Sequence, residues 1–326
     1  MSEKTAIILF NLGGPDSPEA VQPFLRNLFS DPDIFRFPLP FVTQRLFAWL
    51  VSTRRAPEAR KNYDQIGGRS PLLDRTNEQA IALQLALTEA GAGHFDSFVC
   101  MRYWHPMTAE VVNKLRQGGY QRVILLPLYP QYSTTTTGSS FNEFTRECQR
   151  QGYRPKRIEI RQWYDHDKYL RAIIDSIETE LKTLPDTDPE KTYILFSAHG
   201  LPKKVVERGD PYQQQIEATY ESLKTRLGWP HTGLSYQSRV GPLEWLQPYT
   251  EDVIPELGNA GWRQLLVYPI AFVSDHIETL QELGIEYRHL AESHGITSYR
   301  VARALNDHPM LIETLRDLVL EADAAQ

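Results

Sequence analysis

The sequence predicts an α/β fold of two similar domains, each built on a parallel sheet. Two observations carry the prediction. Short apolar runs bounded by Gly, Pro or polar clusters recur along the 326 residues, and helical periodicity fills most of the intervals between them. Such alternation is expected of buried strands joined by crossover helices. The second observation is a faint internal repeat. "GGYQRVILLPLYPQYS" (118–133) aligns with "AGWRQLLVYPIAFVSD" (260–275), matching Gly119 with Gly261, Tyr120 with Trp262 and Pro127 with Pro269, and "AIILFNLGG" resembles "TYILFSAHG".

The elements follow in chain order. "TAIILFNLGGP" is a strand running into a Gly-rich turn, and "SPEAVQPFLRNLF" reads as a helix with Ser17 at its N-cap and Pro18 at its first position. A Pro- and aromatic-rich segment comes next. "NEQAIALQLALTEAGAG" is a helix closed by glycines, and "SFVCMRY", "RVILLPLYP" and "RIEIRQWY" complete the first set of strands. "YILFSAHGLP", "LSYQS" and "QLLVYPIAF" form the second set. The landmarks of the repeat lie 45 residues further apart in the first half, the size of the Pro-rich segment, which is therefore an insertion. The domains are placed at 1–160, with the insertion at about 31–75, and at 161–326. Open α/β sheets bind ligands beyond the carboxyl ends of their strands. Those ends supply residues 11–14, 102–105, 129–133, 197–200 and 275–278.

Composition narrows the function. A net charge of -6 argues against a general nucleic-acid binder, which would present a basic face. The two cysteines, Cys100 and Cys148, have neither C-x-x-C nor zinc or iron–sulfur spacing, which fits a reducing compartment. No signal-peptide pattern opens the chain, and no run reaches the ~18 apolar residues of a membrane span. The most apolar segment, "DIFRFPLPFVTQRLFAWLV" (33–51), is interrupted by Arg36, Pro38, Pro40 and Arg45.

Several constellations could carry chemistry. "NLGGP" is not a dinucleotide fingerprint, and no P-loop occurs. "YSTTTTGSS" suits either a phosphate cradle or the cap of the helix after it. Arg54 and Arg55 suit ligand carboxylates, or equally a solvated surface. His199, at a strand end in "FSAHGLP", reads as a structural residue or as a ligand or base. The stretch "AFVSDHIETLQELGIEYRH" (271–289) changes that balance. Asp275, Glu278, Glu282 and Glu286 would line one helix face, with no cation before Arg288. Like charges so spaced repel by about 0.2–0.5 kcal/mol per pair. An external cation would relieve them, and carboxylate with imidazole suits divalent first-row metals.

At these residues the sequence resembles the ferrochelatases, enzymes that insert ferrous iron into a porphyrin late in heme synthesis. "NLGGPDSPEAVQPFLRNLFSDPDI", "RSPL", "MRYWHP", "YPQYSTTTTGSS", "SAHGLPKKVVERGDPY", "YQSRVGPLEWLQP" and "IAFVSDHIETLQELGIEY" look like family motifs in family order, from residue 5 to about 290. The resemblance implies two Rossmann-like domains with a porphyrin cleft between them. It implies His199 and Glu278 at the reacting centre as catalytic residues and metal ligands, supported by His276 and Glu282. It also implies Leu12, Tyr129 and Trp245 as apolar and aromatic walls, and a π-type widening in the helix after "SDH". Some members hold a propionate with a Lys shortly after the Arg pair; Glu58 stands there, which leaves Arg54, Arg55 and Ser70 as the implied propionate contacts. Members that use coproporphyrin commonly carry Tyr at the position of Leu12, so Leu12 implies protoporphyrin IX.

The expected reaction is therefore insertion of Fe2+ into protoporphyrin IX with loss of two protons, without a prosthetic group. No iron–sulfur cluster is expected, because no Cys follows Cys148. A chelatase for another metal or tetrapyrrole would share much of this site, whereas a porphyrin carrier would need no acid row. A cytoplasmic location is expected, with residues 33–51 as an apolar lip. Ile34, Phe35, Phe37, Leu39, Phe41, Leu46, Phe47 and Trp49, flanked by Arg36 and Arg45, would make it peripheral at the inner face of the membrane.

Overall fold

A computed structural model describes residues 4–35 and 40–325, with the side chains of 40–42 left aside. The described chain divides into two compact units. One runs to Gln162 and includes the residues from Ile312 onward; the other is Trp163–Leu311.

The first unit contains β1 (Thr5–Asn11), α1 (Val21–Phe29), α2 (Pro40–Asp64), α3 (Leu72–Glu89), β2 (Phe95–Met101), α4 (Thr108–Gln117), β3 (Arg122–Pro127), α5 (Ser139–Arg150) and β4 (Lys156–Glu159). All pairings are parallel, in the order β2-β1-β3-β4. Every residue of β1 is buried, as expected of a central strand covered on both faces. Phe10 on β1 meets Phe141 and Phe144 of α5 edge-on at 5.7 and 6.0 Å.

In the second unit the elements are α6 (Asp167–Leu181), β5 (Thr192–His199), α7 (Lys203–Glu207), α8 (Tyr212–Leu227), β6 (Thr232–Gln237), α9 (Thr250–Asn259), β7 (Gln264–Pro269), α10 (Tyr287–Ser293) and β8 (Ser298–Val301). Its parallel order is β6-β5-β7-β8, the same pattern. The final helix, α11 (Pro309–Ala324), begins here, but its residues from Ile312 count with the first unit. The expected bounds were 161–326; on this helix Asp323 is ion-paired with Arg122, which opens β3.

The repeat is real in three dimensions, with one correction. Gly119 and Gly261 both take positive φ, 71° and 100°, in matching turns. Tyr120 N bonds Leu115 O and Trp262 N bonds Leu257 O, closing α4 and α9 through left-handed glycines. The register pairs Thr5 with Arg122 and Thr192 with Gln264, so Leu12, not Gly13, stands at the place of His199. A fully buried strand has no polar alternation to fix its phase, so the sequence alignment slid by one residue.

Other boundaries moved for local reasons. The first helix begins at Val21 rather than Pro18, because Pro23 must lie in the first turn, where its missing N–H costs nothing. The insertion holds the 25-residue helix α2, opened by Pro40 and carrying Pro57 inside. Ser133 Oγ accepts the N–H of Thr135 at 3.1 Å, so of the two readings of "YSTTTTGSS" the structure displays the cap, on a short π-turn (Thr134–Gly138) leading into α5. Among the described residues, no helix is long and apolar enough to cross a membrane.

Candidate metal and porphyrin site

β5 delivers His199 at its carboxyl end, beside its register partner Gln237 on β6. The carbonyl of His199 accepts the Tyr212 hydroxyl at 2.8 Å. At Gly200 a Cβ would meet Gln237 O at 3.1 Å and the Trp245 ring at 3.2 Å, so glycine admits a close approach. The loop carrying Trp245 is tied to that turn by Leu246 N to Leu201 O at 2.9 Å and Lys203 N to Glu244 O at 2.9 Å. Trp245 thereby stands edge-on to the His199 ring, 6.3 Å between centroids.

β7 delivers the other half. After it the chain turns through residues 270–277 and enters a π-helix, Glu278–Glu286. Its wider turns bond Tyr287 N to Glu282 O, five residues back. Carbonyls loosened by this pattern find other donors: Tyr299 OH reaches Leu283 O at 2.8 Å, and Arg288 Nε reaches Gly284 O at 3.1 Å. Leu283 and Tyr287 pack into the core of the unit, which fixes the opposite face of the segment.

The two halves meet at one oxygen. His199 Nδ1 lies 2.9 Å from Glu278 Oε2, and His276 Nε2 lies 3.8 Å from the same atom. His276 Nδ1 donates to the Ser274 carbonyl at 3.1 Å, leaving Nε2 as the atom that faces Glu278. Phe272 packs against both imidazoles, at 4.3 Å from His276 and 6.3 Å from His199. Burial opposes charge on His199, but the Glu278 carboxylate outweighs it and holds the imidazole above its ordinary pKa. Burial likewise opposes charge on Glu278, and the His199 and His276 rings overcome it, holding the carboxyl well below the usual range. Glu282 goes the other way, pushed up by burial and by the charge of Glu278.

The acid row is built differently from the sequence expectation. Asp275 turns inward, accepting Asn306 Nδ2 at 2.8 Å, Thr279 Oγ1 at 3.1 Å and Ala304 N at 3.2 Å. Glu282 accepts Ser238 N at 2.9 Å, Ser238 Oγ at 2.5 Å, Tyr287 OH at 3.0 Å and Gln237 Nε2 at 3.3 Å. A hydrogen bond to a charged group contributes about 1.5–3 kcal/mol, several times the ~0.2–0.5 kcal/mol of a like-charge pair on a helix. Donors from other elements therefore support the row, and its repulsion alone does not demand a cation. Glu278, Glu282 and Glu286 remain as acids of increasing distance along the helix, the last one exposed.

Chemically, an imidazole and a carboxylate sharing a short contact can hold a divalent cation or accept protons. Among the described residues no three His, Cys, Asp or Glu side chains form a closed metal cage. An incoming cation would have to replace the His199–Glu278 hydrogen bond.

His199, Glu278, His276, Glu282 and Trp245 are thus gathered in the second unit. The other candidates lie in the first. Leu12 follows β1, its carbonyl accepting Tyr103 N at 2.9 Å. Ser70 is buried against Gly14, where a Cβ would meet its hydroxyl at 2.4 Å, and it accepts Leu72 N at 3.3 Å. Arg54 is exposed on α2, and Arg55 lies 5.9 Å over the Phe29 ring. The Tyr129 hydroxyl is buried with no hydrogen-bond partner among the described residues, and burial pushes its pKa far up.

Phe272, Gln237, Ser238 and Tyr287 were not singled out from sequence. Phe272 lies within the quoted acid stretch, where an aromatic beside "SDH" was the available signal. Gln237 and Ser238 had only the motif "YQSRVGP" to mark them.

Comparison with known proteins agrees with the motif reading. The family model described as ferrochelatase matches residues 4–323. The chain is 51% identical over 322 residues to the ferrochelatase of Synechococcus sp. (strain JA-3-3Ab), covering 97% of this chain and 93% of that one. It is 48% identical over 322 residues to the ferrochelatase of Gloeobacter violaceus, covering 98% and 97%. Among solved structures, SirB from Bacillus subtilis with Fe3+ superposes with a TM-score of 0.57 at 10% identity, covering 99% of this chain and 96% of that one. A multi-domain protein from Deinococcus radiodurans with structural similarity to chelatases gives 0.51 at 13%, covering 99% and 56%. These structural likenesses identify a chelatase-type fold. With the sequence match running along nearly its whole length, the chain belongs to the ferrochelatase family, enzymes of heme biosynthesis that insert a metal ion into a porphyrin.

Proposed function

We propose that the metal is Fe2+ and the porphyrin protoporphyrin IX, joined to give protoheme with release of two protons. The observation that carries this reading is the single Glu278 oxygen placed 2.9 Å from His199 Nδ1 and 3.8 Å from His276 Nε2. Two N–H protons must leave the ring as iron enters, and Fe2+ must shed water on the way. His199 accepts a pyrrole proton and ligates the metal, Glu278 is its partner, and His276 supports Glu278. Glu282, a turn further along the π-helix, hands metal toward Glu278. A flat macrocycle hides its nitrogens, so binding energy is used to hold it bent.

Arg54, Arg55 and Ser70 are assigned to the propionates, and Leu12, Tyr129 and Trp245 to contact with the macrocycle. No prosthetic group or iron–sulfur cluster takes part; iron is a substrate. The protein works in the cytoplasm, peripheral to the inner face of the membrane. Support for the membrane contact comes from α2, where Leu46, Trp49 and Leu50 are exposed at 55%, 48% and 52% on one helix face. Phe47 instead is half-buried, packed against Phe29 and Phe35. Arg36, Phe37, Pro38 and Leu39, and the side chain of Phe41, lie outside the described residues.

The test is anaerobic mixing of the protein with excess Fe2+ and protoporphyrin IX while following the visible bands of the free base. Multiple turnovers to the metalloporphyrin spectrum are expected. Stoichiometric porphyrin binding without conversion would instead favour a carrier.

A further inference from the structure

Ser238 is one of two described non-glycine residues with positive φ, at 64°. L-residues reach this conformation at a cost that glycine avoids. The position follows the last residue of β6, where the chain must leave the sheet, and glycine would serve the backbone better. What serine adds is a hydroxyl, and the left-handed turn aims both that hydroxyl and the Ser238 N–H at the Glu282 carboxylate, at 2.5 and 2.9 Å.

The neighbouring residue completes the arrangement. Gln237 Nε2 approaches Glu282 at 3.3 Å, and the amide is oriented because its oxygen accepts the buried Ser197 hydroxyl at 2.8 Å. Ser197 in turn contacts Thr250, which contacts Ser235, all fully buried. Ser197 lies two residues before His199 on β5. The strand that carries His199 thus also holds, through Gln237, the acid one turn beyond Glu278.

We infer that Ser238 is a positioning residue for metal delivery: from its left-handed turn, its hydroxyl together with its N–H fixes the Glu282 carboxylate in the orientation from which metal passes to Glu278. This rests on the role proposed above for Glu282. Gln237 and Tyr287 complete the grip, but Ser238 alone contributes two donors.

Ser238→Gly separates the hydroxyl from the backbone, since glycine keeps the left-handed turn and the N–H. It should fold with an unchanged or raised thermal midpoint. Its KM for Fe2+ should rise about tenfold, as expected for one lost charge-assisted bond, with turnover at saturating metal within about twofold and the porphyrin KM unchanged. In a Glu282→Gln background the same substitution should have no further effect on the metal KM. An unchanged metal KM in Ser238→Gly, while Glu282→Gln raises it, would overturn the role of Ser238 alone. An equal rise in both backgrounds would do the same, because Ser238 would then act without Glu282. A Glu282→Gln single variant with an unaltered metal KM would remove the delivery role of Glu282 and this inference with it.

Discussion

His199 Nδ1 and Glu278 Oε2 lie 2.9 Å apart although 79 residues separate them in the chain. His199 ends β5, and Glu278 opens the π-helix that follows the turn after β7, the parallel neighbour of β5, so the sheet and that turn together bring them into contact. Glu278→Gln keeps the shape of the side chain but loses its charge and basicity. Turnover should fall by about 10²-fold or more, the scale of a lost acid–base group, while Glu282→Gln should mainly raise the metal KM. Steady-state kinetics at saturating Fe2+ check this; a larger loss of turnover in Glu282→Gln would reverse the order of the two acids.

Leu12 occupies the place in the first unit that His199 occupies in the second, and it presents apolar surface with no hydroxyl. Vinyl groups suit it better than extra propionates do. Competition between protoporphyrin IX and coproporphyrin III should favour the former by about tenfold, the scale expected of one apolar contact, and Leu12→Tyr should narrow the ratio. A higher turnover efficiency on coproporphyrin III in the wild type contradicts the assignment.

The exposed face of α2 gives a third expectation. Burying one large apolar side chain contributes about 1.5–3 kcal/mol, so replacing Leu46, Trp49 and Leu50 together by Ser should lower affinity for anionic liposomes by about 10²-fold or more. Use of membrane-dissolved porphyrin should slow more than use of detergent-dispersed porphyrin. Unchanged liposome co-sedimentation of the folded variant would remove membrane contact from this helix.

Cys100 and Cys148 are both buried, and burial pushes their thiols up to about 12 and about 11. Neither should react with iodoacetamide in the native protein at pH 8, and both should react after denaturation. In the unfolded chain such thiols ionise nearer pH 9, so between there and the folded values the unfolded state holds fewer protons, and stability falls as pH rises. Mass spectrometry of native, alkylated protein is the check; stoichiometric labelling of Cys100 would show that its surroundings open readily.

The sequence made the α/β class legible because buried parallel strands and amphipathic helices alternate so regularly. Its residues raised His199 as a candidate by its strand end and the acid stretch as a group, and only the family resemblance singled out Glu278 within that stretch. It hid the partners of the row, because the donors on Glu282 arrive from β6 and from Tyr287, and only folding brings Ser238 next to an acid 44 residues away. Strand β8 escaped notice because four residues, "SYRV", carry no period at a sheet edge. Helix α2 was masked by its prolines, although Pro40 at the first helical position is a start signal rather than a break.

The central claim is that His199 and Glu278 together carry out metal insertion, and the most direct measurement is the anaerobic Fe2+ insertion rate of His199→Ala at saturating substrates, with porphyrin affinity read in parallel by fluorescence quenching. Loss of the imidazole should reduce turnover by about 10²–10⁴-fold while porphyrin affinity stays within a few-fold of wild type. A correctly folded His199→Ala variant that inserts iron at a rate comparable to wild type would contradict the account.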